Sequence, residues 1–232
     1  MFFDPFMFHW SVILLIPALI LSIYAQNKVS STFNKYSKIP NKKGLTAYEV
    51  ARILLDSKGL SDIPILPVAG ELTDHYDPVE KRLGLSEVVY GSNSVAALGV
   101  AAHEVGHAIQ HLEGYTPIVI RNSIFPLVSF GNYMSMPLFL IGIFIHSPLF
   151  VKLGIIFFSF YVFFSIITLP VEIDASMRGL RLLRENGLLD DEEYPLAKEV
   201  LTAAALTYIA AALMAVMNLI RLLIISQQVD DD

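Results

Sequence analysis

Five consecutive residues, His103-Glu104-Val105-Gly106-His107, combine two imidazoles and a carboxylate at a spacing suited to a hydrolytic metal centre. On an α-helix, positions i and i+4 lie one turn apart on one face, so His103 and His107 can aim ring nitrogens at a single ion. Glu104 then points beside that ion, where its carboxylate can take a proton from metal-bound water. Zinc suits such donors: it lowers the pKa of its bound water to about 7 and polarises a scissile carbonyl, so hydrolysis needs no covalent nucleophile. The chain contains no Cys. That excludes disulfides, thiolate ligands and a cysteine nucleophile, and leaves a transition metal to His and carboxylates. The expectation is one Zn2+ per chain, held by three protein ligands with a fourth position open.

The third ligand must come from elsewhere, and Glu172 is the choice. It lies in Pro170-Val171-Glu172-Ile173-Asp174-Ala175-Ser176, just after an apolar run, and Pro170 favours a helix starting nearby. A carboxylate at a helix N-terminus, favoured by the macrodipole, is the plainer reading of the same residue. Asp174 can hydrogen-bond the outer nitrogen of a ligand His and fix its tautomer, or can serve as a helix-start acid. His75, in a polar stretch, can donate to a developing oxyanion or be an ordinary loop histidine. His111 continues the ladder from His107 but lies one turn too far to reach the same ion easily. His9 and His146 read as interface or hairpin residues.

These residues need elements to position them, and composition says what kind. The chain has 232 residues and is 54% hydrophobic, too apolar for an ordinary soluble domain. Uncharged runs at 5–27, 122–151, 153–171 and 200–220 are near or above the roughly 20 residues that a helix needs to cross hydrocarbon. The first reads as an anchor, because its leading residues carry Asp4 and no base, and Ser22-Ile23-Tyr24-Ala25 is a poor cleavage site. The expected architecture is a mainly α integral membrane protein, with about four transmembrane helices and a small cytosolic α+β zincin-like catalytic part. It forms a single membrane-embedded domain over 1–232, with spans at about 5–26, 123–145, 149–169 and 200–224 and catalytic segments at 28–121 and 172–199.

Orientation follows from Lys28, Lys35, Lys38, Lys42 and Lys43, which crowd the end of the first span. By the positive-inside rule the N-terminus lies outside and residue 28 onward in the cytosol. The two catalytic segments then hold all Lys and Arg except Lys152 and Arg221, and the acidic tail Asp230-Asp231-Asp232 lies outside. Two spans separate His107 from Glu172, so both return to one membrane face.

Local signals refine the catalytic segments. Residues 28–44 are polar and read as a juxtamembrane linker. Thr46 and Glu49 make a capping box for a helix over about 46–57 that ends near Gly59. Ile63 to Val68 and Leu83 to Tyr90 read as short strands, and the segment between them, Glu71 to Pro78, as too polar for a core strand. Ser92-Asn93-Ser94 offers N-caps for an Ala-rich helix, Val95 to Leu112, stopped by Gly114. A last helix holding Arg178 and Arg181 breaks at Asn186-Gly187 before an acidic turn.

Three stretches together resemble one family: Leu72-Thr73-Asp74-His75-Tyr76-Asp77-Pro78, Ala101-Ala102-His103-Glu104-Val105-Gly106-His107-Ala108-Ile109-Gln110 and Leu169-Pro170-Val171-Glu172-Ile173-Asp174-Ala175-Ser176. The chain resembles the YugP-type membrane zinc metallopeptidases of bacteria, and more distantly the HtpX and CAAX prenyl protease group. The resemblance implies a gluzincin arrangement in which His103, His107 and Glu172 bind zinc and Glu104 is the general base. It also exposes a departure: where the distant gluzincins often have an Asp four residues after the ligand Glu, this chain has Ser176.

The function expected is a zinc-dependent membrane metalloendopeptidase, multi-pass in the cell (inner) membrane, with its active site on the cytosolic face. Its expected partners are a peptide or protein substrate, membrane-associated or misfolded, the lipid bilayer, and a homo-oligomer or membrane partner protein. A net charge of −6 argues against nucleic acid. The alternative is a non-catalytic zinc-binding membrane scaffold or partner subunit, which would need a fourth protein ligand such as His75 or His111. An intramembrane protease is disfavoured because the apolar stretch before His103 is too short to cross a bilayer.

Overall fold

A computed structural model describes residues 9–230. Asp4, the expected start of the first span at residue 5, and Asp231-Asp232 lie outside the described residues. A 3-10 turn, Trp10–Leu15, leads into α1 (Ile16–Tyr36). There follow α2 (Ala47–Ser57), β1 (Ile65–Val68), β2 (His75–Asp77), β3 (Arg82–Ser86), the short α3 (Glu87–Tyr90) and α4 (Val95–Leu112). Three long helices complete the chain: α5 (Thr116–Phe144), α6 (Pro148–Glu185) and α7 (Tyr194–Asp230). Among the described residues the fold is mainly helical, with one three-stranded sheet and four helices long and apolar enough to cross a membrane.

The chain divides into two compact units. One contains the described residues through Ala25, Ile120–Leu169 and the segment from Thr207. Its core gathers Phe139, Val151, Phe158, Val162, Ala215, Leu222 and Ile225. Gly154 lets the hairpin close: a Cβ there would sit 2.7 Å from the Phe139 nitrogen and from the Ser135 carbonyl. Phe125, Phe130, Phe144, Ile156, Phe163 and Ile166 face outward, so these helices are apolar outside as well as inside, the pattern of elements that meet lipid.

The other unit comprises Gln26–Val119 and Pro170–Leu206. Its core is built on Val50, Leu54 and Leu55 of α2, Leu83 and Leu85 of β3, and Leu98, Ala101, Ala102 and Val105 of α4, all with no exposed surface. Helix α2 starts as its sequence dictates, with Thr46 and Glu49 bonding each other's backbone nitrogens. Beyond its end Gly59 takes φ +72°, a conformation glycine adopts without penalty.

Four boundaries differ from expectation. Residues 28–36 are not linker but the continuation of α1, where Lys28 and Tyr36 both bond Glu199. Polar composition signalled a loop there, but nothing before Pro40 breaks a helix. The second strand stops at Ser86, because half-buried Asp74 accepts from the Ser86 backbone nitrogen (2.8 Å) and hydroxyl (2.9 Å). The chain then turns into α3. Within the polar segment, His75–Asp77 forms β2, an edge strand antiparallel to β3, while β1 pairs parallel to β3 on its other side. An edge needs only one row of ladder bonds, so polar residues are tolerated there. Finally, α6 does not begin at Pro170 but runs through it. Proline removes one backbone bond, yet its neighbours Val171 and Ala175 are completely buried, and that packing holds the helix together.

Candidate metal centre

Helix α4 presents His103, Glu104 and His107 from a well-specified frame. The Ser94 hydroxyl caps it by accepting from the Ala97 nitrogen at 3.2 Å, and Gly114 at φ +63° ends it. Its small residues have a definite purpose. A Cβ added at Gly106 would collide with the Ala175 carbonyl, and one added at Gly179 would collide with the Ala102 carbonyl. Helices α4 and α6 therefore touch backbone to backbone at two reciprocal points, and Glu172 lies one turn before Ser176 on the α6 face so placed.

The contact brings three donors together. The Nε2 atoms of His103 and His107 are 3.2 Å apart. The Glu172 Oε2 lies 3.3 Å from the first and 3.5 Å from the second. A tetrahedral zinc with ligand bonds of about 2.0–2.1 Å needs donors roughly 3.3–3.4 Å apart, so the trio fits that ion. The side chains are 14%, 11% and 5% exposed for His103, His107 and Glu172, which leaves the two histidines the open side. Among the described residues this is the group that could hold a metal.

Each imidazole is held from behind, as a metal-binding His usually is. The His103 Nδ1 lies 3.0 Å from the Ser176 hydroxyl, so the position that departs from the gluzincin pattern still contacts a candidate ligand. The His107 Nδ1 lies 3.0 Å from the Gln110 Oε1. Asp174 does not contact a ring directly. Its Oδ2 accepts from the Gln110 Nε2 at 2.8 Å and from Arg178, and Arg178 also pairs with Glu113. Gln110 was not anticipated. The available signal was its place three residues after His107, on a neighbouring part of the helix face.

Glu104 sits one residue after His103 and is 7% exposed. Burial pushes its carboxyl above the ordinary range, while the imidazoles of His103 and His107 pull it back. A carboxylate so placed is a stronger base than one in water. His75 and His111 lie outside the donor trio. His111 bonds the Tyr76 hydroxyl through Nδ1 at 2.9 Å, and the two line a cavity of about 410 Å³ with Leu60, Asp62 and Lys81. His75 is exposed on β2 and donates from Nδ1 to the Thr73 carbonyl at 2.9 Å. Its neutral ring therefore has only a lone pair at Nε2 and can donate to an oxyanion only when doubly protonated.

Comparison with known proteins agrees with this chemistry. A family model described as "Putative neutral zinc metallopeptidase" matches residues 11–227. The chain is 48% identical over 214 residues to the "Putative membrane protease YugP" of Bacillus subtilis (strain 168), covering 92% of this chain and 95% of the relative. No solved structure matches.

Proposed function

The chain belongs to the neutral zinc metallopeptidase family, and we propose that it is a membrane metalloendopeptidase that cleaves peptide bonds in membrane-associated or misfolded proteins. The observation that carries this reading is the tetrahedral spacing of His103, His107 and Glu172 with a buried carboxylate, Glu104, next to the first of them on α4. His103 and His107 would hold zinc through Nε2 and Glu172 through its carboxylate. When bound, the ion supplies a water of lowered pKa and a Lewis acid for the scissile carbonyl. Glu104 takes the proton of the attacking water and passes it to the leaving amine nitrogen. Ser176 and Gln110 hold the two rings in place from behind.

The proposed setting is the cell membrane, with α1, α5, α6 and α7 as spans and the metal centre in the cytosol. Support comes from the four apolar helices and from the lysines in the last turns of the first and just beyond it. Three donors rather than four is the ligand count of a catalytic site, which favours an enzyme over a zinc-bearing scaffold. Glu104→Gln should keep bound zinc while abolishing cleavage of casein or a membrane peptide by purified protein. Cleavage at the wild-type rate by that variant would overturn the assignment.

A further inference from the structure

We propose that Gln110 is a positioning residue that fixes the ring tautomer of His107 and ties that ligand to the helix segment carrying Glu172. The inference rests on the zinc reading above but extends to a residue outside the donor trio. Gln110 has no exposed surface, and its amide is fully committed. The nitrogen donates to the Val171 carbonyl at 2.8 Å and to the Asp174 carboxylate at 2.8 Å. The carbonyl can only accept, and so can the ionised carboxylate, which Arg178 also holds. Both amide hydrogens are thereby used, and a flipped amide would set its oxygen against two acceptors. Its Oε1 must face His107 Nδ1, 3.0 Å away, and an amide oxygen only accepts. The Nδ1 of His107 therefore carries the proton, and the lone pair sits on Nε2, the atom that faces His103 and Glu172.

The same amide reaches residues on both sides of Glu172. Val171 precedes it by one and Asp174 follows it by two, so one side chain from α4 grips α6 around the third donor. Arg178 extends the grip, joining Asp174 to Glu113 beyond the end of α4 and lying over the Tyr115 ring at 5.6 Å. His103 differs: its partner is the Ser176 hydroxyl, which can donate or accept and so imposes no tautomer. The two ligand histidines are thus unequal, one preset and one adaptable.

The test uses the full chain in detergent, labelled with 15N-histidine, zinc-free and at a pH where the imidazoles are neutral. Wild-type His107 should show its proton on Nδ1. Gln110→Leu, close in size but without hydrogen bonds, should move the proton toward Nε2. It should also weaken zinc, read by chelator competition, by about 10–100-fold, the usual cost of losing such a partner. The His103 signals should stay as in wild type. If Gln110→Leu does not fold, Gln110→Met replaces it: it is unbranched, close in length and has no amide oxygen to accept from the ring, and the tautomer preference should be lost. A folded variant in which His107 keeps its proton on Nδ1 would overturn the proposal. Because the tautomer is read without metal, failure of wild type to bind zinc would refute the zinc reading and leave this one to be decided separately.

Discussion

Replacing Gly106 by Ala tests whether the backbone contact between α4 and α6 sets the metal site. Besides meeting the Ala175 carbonyl oxygen, the new Cβ would lie 2.9 Å from the Ala175 carbonyl carbon and 3.0 Å from its Cα. Carbon atoms rest about 3.5–4.0 Å apart, so the helices must separate by roughly 0.5–1 Å. Overpacking of this kind costs about 1–3 kcal/mol. The strain falls where Glu172 must stay 3.3–3.5 Å from the histidine nitrogens. If it is relieved by parting the donors, it converts at about 1.4 kcal/mol per tenfold to a zinc affinity weaker by roughly 5–150-fold. Gly179→Ala, which strikes Ala102 from the opposite side, should behave alike. Gly99→Ala is the control: its Cβ would meet the Ala197 Cβ at 3.5 Å, ordinary contact, and helix propensity alone favours it by up to about 1 kcal/mol. Zinc affinity by chelator competition, alongside helicity by circular dichroism, separates these outcomes. A Gly106→Ala protein that binds zinc as tightly as wild type, with helicity intact, would refute the reasoning.

Two further predictions concern the strand end and the topology. Burial holds the Asp74 carboxyl above its ordinary value, although the Ser86 hydrogen bonds oppose the shift. An acid whose pKa is raised on folding contributes stability at low pH that is lost as pH rises from its unfolded pKa, about 3.9, through the folded one. Asp74→Asn should remove that decline, measured as a flatter dependence of the unfolding midpoint on pH over this window; an unchanged slope would assign the dependence to other groups. Because the chain has no Cys, a single Lys38→Cys substitution gives a unique label. A membrane-impermeant maleimide should modify it in inverted vesicles and not in intact cells, and labelling of intact cells would reverse the orientation.

Much of the site was legible because its signals are local. The Ser94 cap, the Gly114 stop and the i, i+4 histidines of α4 are all contained within about twenty residues of sequence, and the three-residue step from His107 to Gln110 is local too. What Gln110 does is not, since its meaning depends on Val171 and Asp174 of α6, which no periodicity connects to α4. For the same reason nothing local reveals that Gly106 is one half of a pair with Gly179. Strand β2 was missed because an edge strand of His75, Tyr76 and Asp77 carries no apolar alternation. The run of α6 through Pro170 was missed because local rules give proline a boundary, whereas the buried flanks of Val171 and Ala175 decide otherwise.

Metal analysis of the purified full chain and three variants tests the donor trio most directly. Wild type should hold about one zinc per chain, and His103→Ala, His107→Ala and Glu172→Ala should each lose it while remaining helical, since a catalytic zinc deprived of one of three protein ligands binds far more weakly. Retention of zinc by Glu172→Ala would contradict the donor trio on which the proposed function rests.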